Sequence, residues 1–123
     1  MILEDAVGKH SALRIASPPE DIYHCYYRYY CFVKPERLKE GWDRDRIMKS
    51  IAAEGVPCFS GSCSEIYLEK AFTNAQIAPA ERLPVALELG ETSLAFLVHP
   101  TLSEIDIKDV ATAIDKVMEE ASV

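Results

Sequence analysis

Glycine is scarce in this chain, and where it stands excludes a good deal. The five glycines of the 123 residues fall at positions 8, 41, 55, 61 and 90. None is spaced as G-x-G-x-x-G or as a P-loop, so the chain carries no phosphate-cradling nucleotide fold of its own. Long hydrophobic runs are missing as well: nothing approaches the roughly 18 apolar residues of a membrane-spanning helix. The opening Met1-Ile2-Leu3-Glu4-Asp5 has neither the basic head nor the apolar core of a secretion signal, so a cytoplasmic location is expected. Positive charge is in deficit, with 13 Lys and Arg against 20 Asp and Glu. A net charge of −7 repels nucleic acid, whose binding rests on neutralising phosphates.

Cysteine is present but not in a metal or redox pattern. Cys58 and Cys63 have four residues between them, not the two of C-x-x-C. Cys25 and Cys31, six apart in an expected strand, would share a face about 20 Å apart and could not pair. His24 and His99 would complete a metal set only by folding accident. Reduced thiols, buried or lining a pocket, and no metal site are the expectation.

The charge that is present is uneven. Residues 28–49 hold seven basic residues against four acidic ones, a local +3 that leaves −10 for the rest. That excess suits a phosphorylated small molecule or an acidic partner surface; a solvated helix face of mixed charge is the preferred reading. Half the residues are apolar, enough for one globular domain.

Along the chain, residues 1–21 read as a lead-in, weakly amphipathic and broken by Ser17-Pro18-Pro19. Ile22–Val33 is dense in aromatics and reads as a strand, with Tyr23, Cys25, Tyr27, Tyr29, Cys31 and Val33 on its core face. A helix follows, with Asp43 as N-cap, Ile47, Met48, Ile51 and Ala52 as its buried stripe, and Gly55 just past its end. Residues 56–59 form a short strand. Helices are expected over Glu65–Phe72 and Pro84–Leu89, the second stopped by Gly90. Ser93–His99 is a near-continuous apolar strand, so it should be central and covered on both faces. The last helix carries a capping box, Ser103 with Asp106, a staple of Leu102 with Ile107, and an unbroken apolar stripe from Ile107 to Ala121. The sum is an α+β fold, a small sheet of about three strands with helices packed mainly on one side.

The most informative stretch is Pro57–Phe72, PCFSGSCSEIYLEKAF, which sets two thiols, three hydroxyls and a glycine turn before a helix start. Three readings stay open for it. Cys63 at a helix N-terminus would be a dipole-activated nucleophile, with His24 or His99 as base. The backbone N–H groups of 60–64 would bind an anion, the better supported of the two functional readings. Plain packing is the third, and for Cys63 it outweighs the nucleophile.

The order of features resembles a known family. His24-Cys-Tyr-Tyr-Arg-Tyr-Tyr is similar to the H-x-Y/W-x-x-Y strand that opens the small C-terminal domain of the DegT/StrS-type sugar aminotransferases. Gly55-Val56-Pro57 is similar to that family's G-[IV]-P, and 57–72 to one subgroup's S-G-S-C-x-E-I-Y-x-E-K-A-F. Leu83-Pro84, Leu94–His99, Pro100 and Leu102-Ser103-Glu104 match its closing strand, turn and last helix. The resemblance spans roughly residues 13 to 121.

The resemblance implies a fold-type I, PLP-dependent enzyme that moves an amino group, usually from glutamate, onto a keto sugar attached to a nucleotide, and that works as a homodimer. Residues 1–21 would then be the tether from a missing N-terminal PLP domain, and 22–123 the small domain. The family's Schiff-base lysine lies in a context like S-x-x-K, ahead of a Gly-Glu-Gly stretch, which none of the seven lysines here has. PLP chemistry needs that lysine and the groups around it. The chain alone is therefore expected to be inactive, without catalytic or cofactor-binding residues. Its expected contribution is to the substrate pocket, through Ser60, Gly61, Ser62, Cys63 and Glu65 on the loop, with Tyr67 and His24 nearby, positioning substrate and excluding water. The alternative is a free-standing α+β small-molecule-binding or regulatory module without catalysis.

Overall fold

The computed structural model describes residues 1–123. Four strands, β1 (Leu13–Ile15), β2 (Arg28–Val33), β3 (Cys58–Phe59) and β4 (Ser93–Leu97), form one antiparallel sheet in the order β1-β2-β4-β3. Five helices accompany it: α1 (Ile2–Gly8), α2 (Arg44–Ala53), α3 (Lys70–Asn74), α4 (Pro84–Thr92) and α5 (Glu104–Ala121). The α+β expectation holds, with four strands in place of about three. The extra one is β1, whose Leu13 and Ile15 pair with Val33 and Cys31.

Strand alternation divides the sheet cleanly. Tyr29, Cys31 and Val33 of β2 point inward with Leu94 and Phe96 of β4, Leu13 of β1 and Cys58 of β3. Ile47 and Ile51 of α2 and the stripe Ile114, Val117, Met118 and Ala121 of α5 close over that face. Leu3, Ala6 and Val7 of α1 are buried too, and α1 lies along α5. Residues 2–15, expected as lead-in, thus supply a helix and an edge strand to the core. The Pro-Pro break that suggested a tether comes only after them.

Other expectations shift for local reasons. Strand β2 begins at Arg28 rather than Ile22, because its partner β4 ends at Leu97, opposite Arg28, and leaves the preceding residues nothing to pair with. Tyr23, Cys25 and Tyr27 are consequently exposed, and Tyr26 takes a left-handed φ of 51° with its N–H donated to His24 Nδ1 at 3.0 Å. The helix expected over 65–72 is a three-residue 3-10 turn at Ile66–Leu68 followed by α3, with Glu69 extended between them. Ala52 is exposed and Met48 half-buried. Helix α4 runs through Gly90 to Thr92, so that glycine does not stop it.

Three of the seven basic residues in 28–49 have structural roles. Arg44 reaches across to donate to the carbonyls of Gly90 and Ser93 at 3.1 and 2.9 Å. Arg46 lies 4.2 Å from the centre of the Trp42 ring. Lys39 donates to the carbonyls of Glu119 and Glu120, a cation placed on the negative end of α5.

Candidate functional site

The outer face of the sheet carries Arg14, Phe32 and Ser93, then Tyr30, Ala95 and Phe59, then Arg28 and Leu97, row by row. Helix α4 crosses the first row, where Arg14 stacks on Phe32 and reaches Glu88 at 3.9 Å. After β3 the chain turns back over the second row as the loop 60–65.

That loop has a defined shape. Gly61 adopts φ +87°, and a Cβ there would stand 3.0 Å from Tyr30 and 3.1 Å from the Ser93 hydroxyl, so the position requires glycine for both conformation and space. Ser93 Oγ donates to the Ser60 carbonyl. Ser64 lies against Gly90 of α4, where a side chain on residue 90 would collide with its hydroxyl. Ser60 and Ser62 are exposed.

At its end the loop is locked by three side chains. Arg82 donates through both Nε and a terminal nitrogen to the two oxygens of Glu65, a fork-on-fork pair. Tyr67 donates its hydroxyl to Glu65 at 2.7 Å and accepts the Leu83 N–H at 2.9 Å. The Arg82 bond, then the Tyr67 bond, hold the Glu65 carboxyl down at about 2, and the same carboxylate raises Arg82. Tyr67 is raised by burial first and by Glu65 second. Arg82 has no sequence signal of its own: it stands 17 residues from Glu65, in a segment without periodicity.

Of the expected site residues, the structure sets Ser60 and Gly61 against Ser93 and Tyr30, and joins Glu65 and Tyr67 to each other. His24 lies outside both groups, occupied with Tyr26 by a hydrogen bond and an edge-on ring contact at 4.4 Å. Cys63 is exposed, and its thiol contacts the Glu69 carboxylate at 3.7 Å. It does not sit at a helix N-terminus, and His99 is bound to Thr101, so the nucleophile–base pair is not assembled. The helix that would have favoured an anion at 60–64 is likewise missing. Cys31 and Cys58 are buried, which pushes both thiols up to about 12.

A cofactor held as an imine needs a lysine amine free beside an anion cradle. Lys9, Lys108 and Lys116 are paired with Asp115, Glu104 and Glu54, and Lys39 is spent on α5. Lys49 and Lys70 project from exposed positions, and Lys34 borders a groove it shares with Glu36, Glu88 and Glu91. None belongs to the 60–67 loop. The residues present do not by themselves fit such a group.

No family model and no curated protein matches the chain. Solved structures do. An aminotransferase from Psychrobacter cryohalolentis is 47% identical, with a TM-score of 0.88, over 96% of this chain and 32% of its own length. The aminotransferase TlmJ from Streptoalloteichus hindustanus matches 95% of this chain and 29% of its own, at 19% identity and a TM-score of 0.76. A DegT DnrJ EryC1 StrS aminotransferase from Brucella abortus matches 93% and 28%, at 22% identity and a TM-score of 0.72. The chain thus spans about a third of the proteins it resembles. With its α+β fold and the 47% identity of the first match, it is similar to the small domain of an aminotransferase, and it shares the fold of the DegT DnrJ EryC1 StrS neighbour.

Proposed function

We propose that this chain is the C-terminal domain of a PLP-dependent aminotransferase acting on a nucleotide-linked keto sugar in the cytoplasm, where it covers the substrate pocket. The observation that carries the reading is the 47% identity sustained over 96% of the chain but only 32% of the Psychrobacter aminotransferase. The chemistry belongs to a partner segment, an N-terminal PLP domain bearing the imine-forming lysine, and the full enzyme is a homodimer. The loop 60–65 forms one wall: the Ser60 and Ser62 hydroxyls and nearby N–H groups meet hydroxyl or phosphate oxygens of the substrate, while Glu65 and Tyr67, held by Arg82, fix the wall's position. The chain alone is inactive.

The test has two arms. The chain mixed with PLP is reduced with borohydride and searched for a pyridoxyl-lysine, then assayed for amino transfer from glutamate; neither product is expected. The coding sequence upstream of Met1 is read for the S-x-x-K lysine context, and the joined protein is assayed in the same way. A pyridoxyl-lysine on the chain alone overturns the assigned division of labour. An upstream sequence without that lysine favours a free-standing binding module instead.

A further inference from the structure

The open end of the outer sheet face holds a cation with no ion-pair partner. Arg28 stands opposite Leu97 at the start of β2, and its guanidinium carbon lies 5.0 Å from the centre of the Phe59 ring and 5.6 Å from that of Tyr27. The chain's ion pairs employ Arg14, Arg44 and Arg82, but not Arg28. Around it Tyr27 is 86% exposed, Leu97 41% and Phe59 39%, so this corner of the sheet is uncovered while α4 and the loop cover the rest. Ser60 follows Phe59 directly in the chain, and both Ser60 and Ser62 are exposed.

A guanidinium resting on aromatic rings is weakly hydrated and loses little freedom when it binds, and its planar fork fits two oxygens of one anion. In a chain of net charge −7, a cation free of carboxylate partners is one of the few favourable places for an oxyanion. We infer that Arg28, held by Tyr27 and Phe59, is an oxyanion-binding residue whose ligand is a phosphate group, with the Ser60 and Ser62 hydroxyls as further donors. This rests on the function proposed above in that the phosphate would be that of the nucleotide-linked substrate.

The probe is inorganic pyrophosphate, titrated into the isotopically labelled 123-residue chain and followed by NMR at the Arg28 Nε–Hε group and the amides of residues 60–62. Saturable millimolar binding is expected, weakened about tenfold in Arg28→Gln by loss of a charge-assisted fork. Arg28→Lys, which keeps charge without the fork, should fall between the two. Both variants should keep the wild-type amide spectrum elsewhere, since the side chain projects from the sheet's uncovered corner. Equal shifts in wild type and Arg28→Gln, or shifts that never saturate, overturn the inference. Acetate binding as tightly as pyrophosphate would make this a carboxylate site and overturns the phosphate assignment. The outcome is separable from that of the proposed function, because it involves neither PLP nor an upstream lysine.

Discussion

Gly90→Ala is the sharpest probe of how the loop 60–65 is held. Gly90 lies inside α4, two residues before Thr92 at the helix end, and its carbonyl accepts from Arg44. In a helix interior alanine is better than glycine by about 1 kcal/mol. The new methyl, however, would collide with the Ser64 hydroxyl and stand 3.4 Å from the Ser64 Cβ. The hydroxyl can swing away, at the roughly 0.5–1.5 kcal/mol of a displaced rotamer. The two effects are of similar size, so the single substitution should change stability by no more than about 0.5 kcal/mol. In a Ser64→Gly background the obstruction is gone and the gain of about 1 kcal/mol should reappear, giving a coupling of the same order. Urea denaturation of the four proteins measures this, with unchanged slopes confirming that only stability moves. If alanine destabilises by about 1 kcal/mol or more in both backgrounds, Gly90 is acting as the helix stop suggested by the sequence and the reasoning fails. If alanine stabilises equally in both, Ser64 does not rest on α4.

Two further predictions test the domain's edge and its thiols. Leu3 is 1% exposed, so Leu3→Ala should cost about 2–5 kcal/mol, read as a lower urea midpoint; a loss under about 0.5 kcal/mol would return residues 1–15 to the status of a lead-in. A thiol-reactive chromophore at mildly alkaline pH should label exposed Cys25 and Cys63 quickly, while Cys31 and Cys58, pushed up to about 12 by burial, react only after unfolding; four fast thiols would refute that placement.

What the sequence shows best is decided within a turn or two of the chain. Asp43 accepts the Arg46 N–H at 2.7 Å as an N-cap, Gly55 takes φ +88°, and Ser103 and Asp106 exchange the bonds of a capping box. Each needs only neighbours three or four residues away, and a pattern of residue types suffices to announce it. The apolar run at 93–97 is legible for a related reason: only a strand buried by neighbours on both sides tolerates that composition. Where the structure departs, the deciding partner is distant. Aromatic richness favours a strand from Ile22, but pairing stops with β4 at Leu97. Three residues of β1 are too few for alternation to register, and only Val33 and Cys31 opposite make them a strand.

The candidate site follows the same division. Ser60-Gly61-Ser62 is conspicuous in the sequence as a turn, yet the loop's shape is imposed by Tyr30 on β2, Arg82, Gly90 on α4 and Ser93 on β4, all well removed from it in the chain. The glycine at 90 looked like punctuation because a glycine's local meaning is a helix end; its role here is to make room for a loop residue 26 positions earlier. All four contacts lie within this domain. Under the function proposed above, the wall of the pocket would arrive preformed, so that closing over substrate costs little ordering of the loop itself. Removing Arg82 should then act on the wall's position rather than on its chemistry.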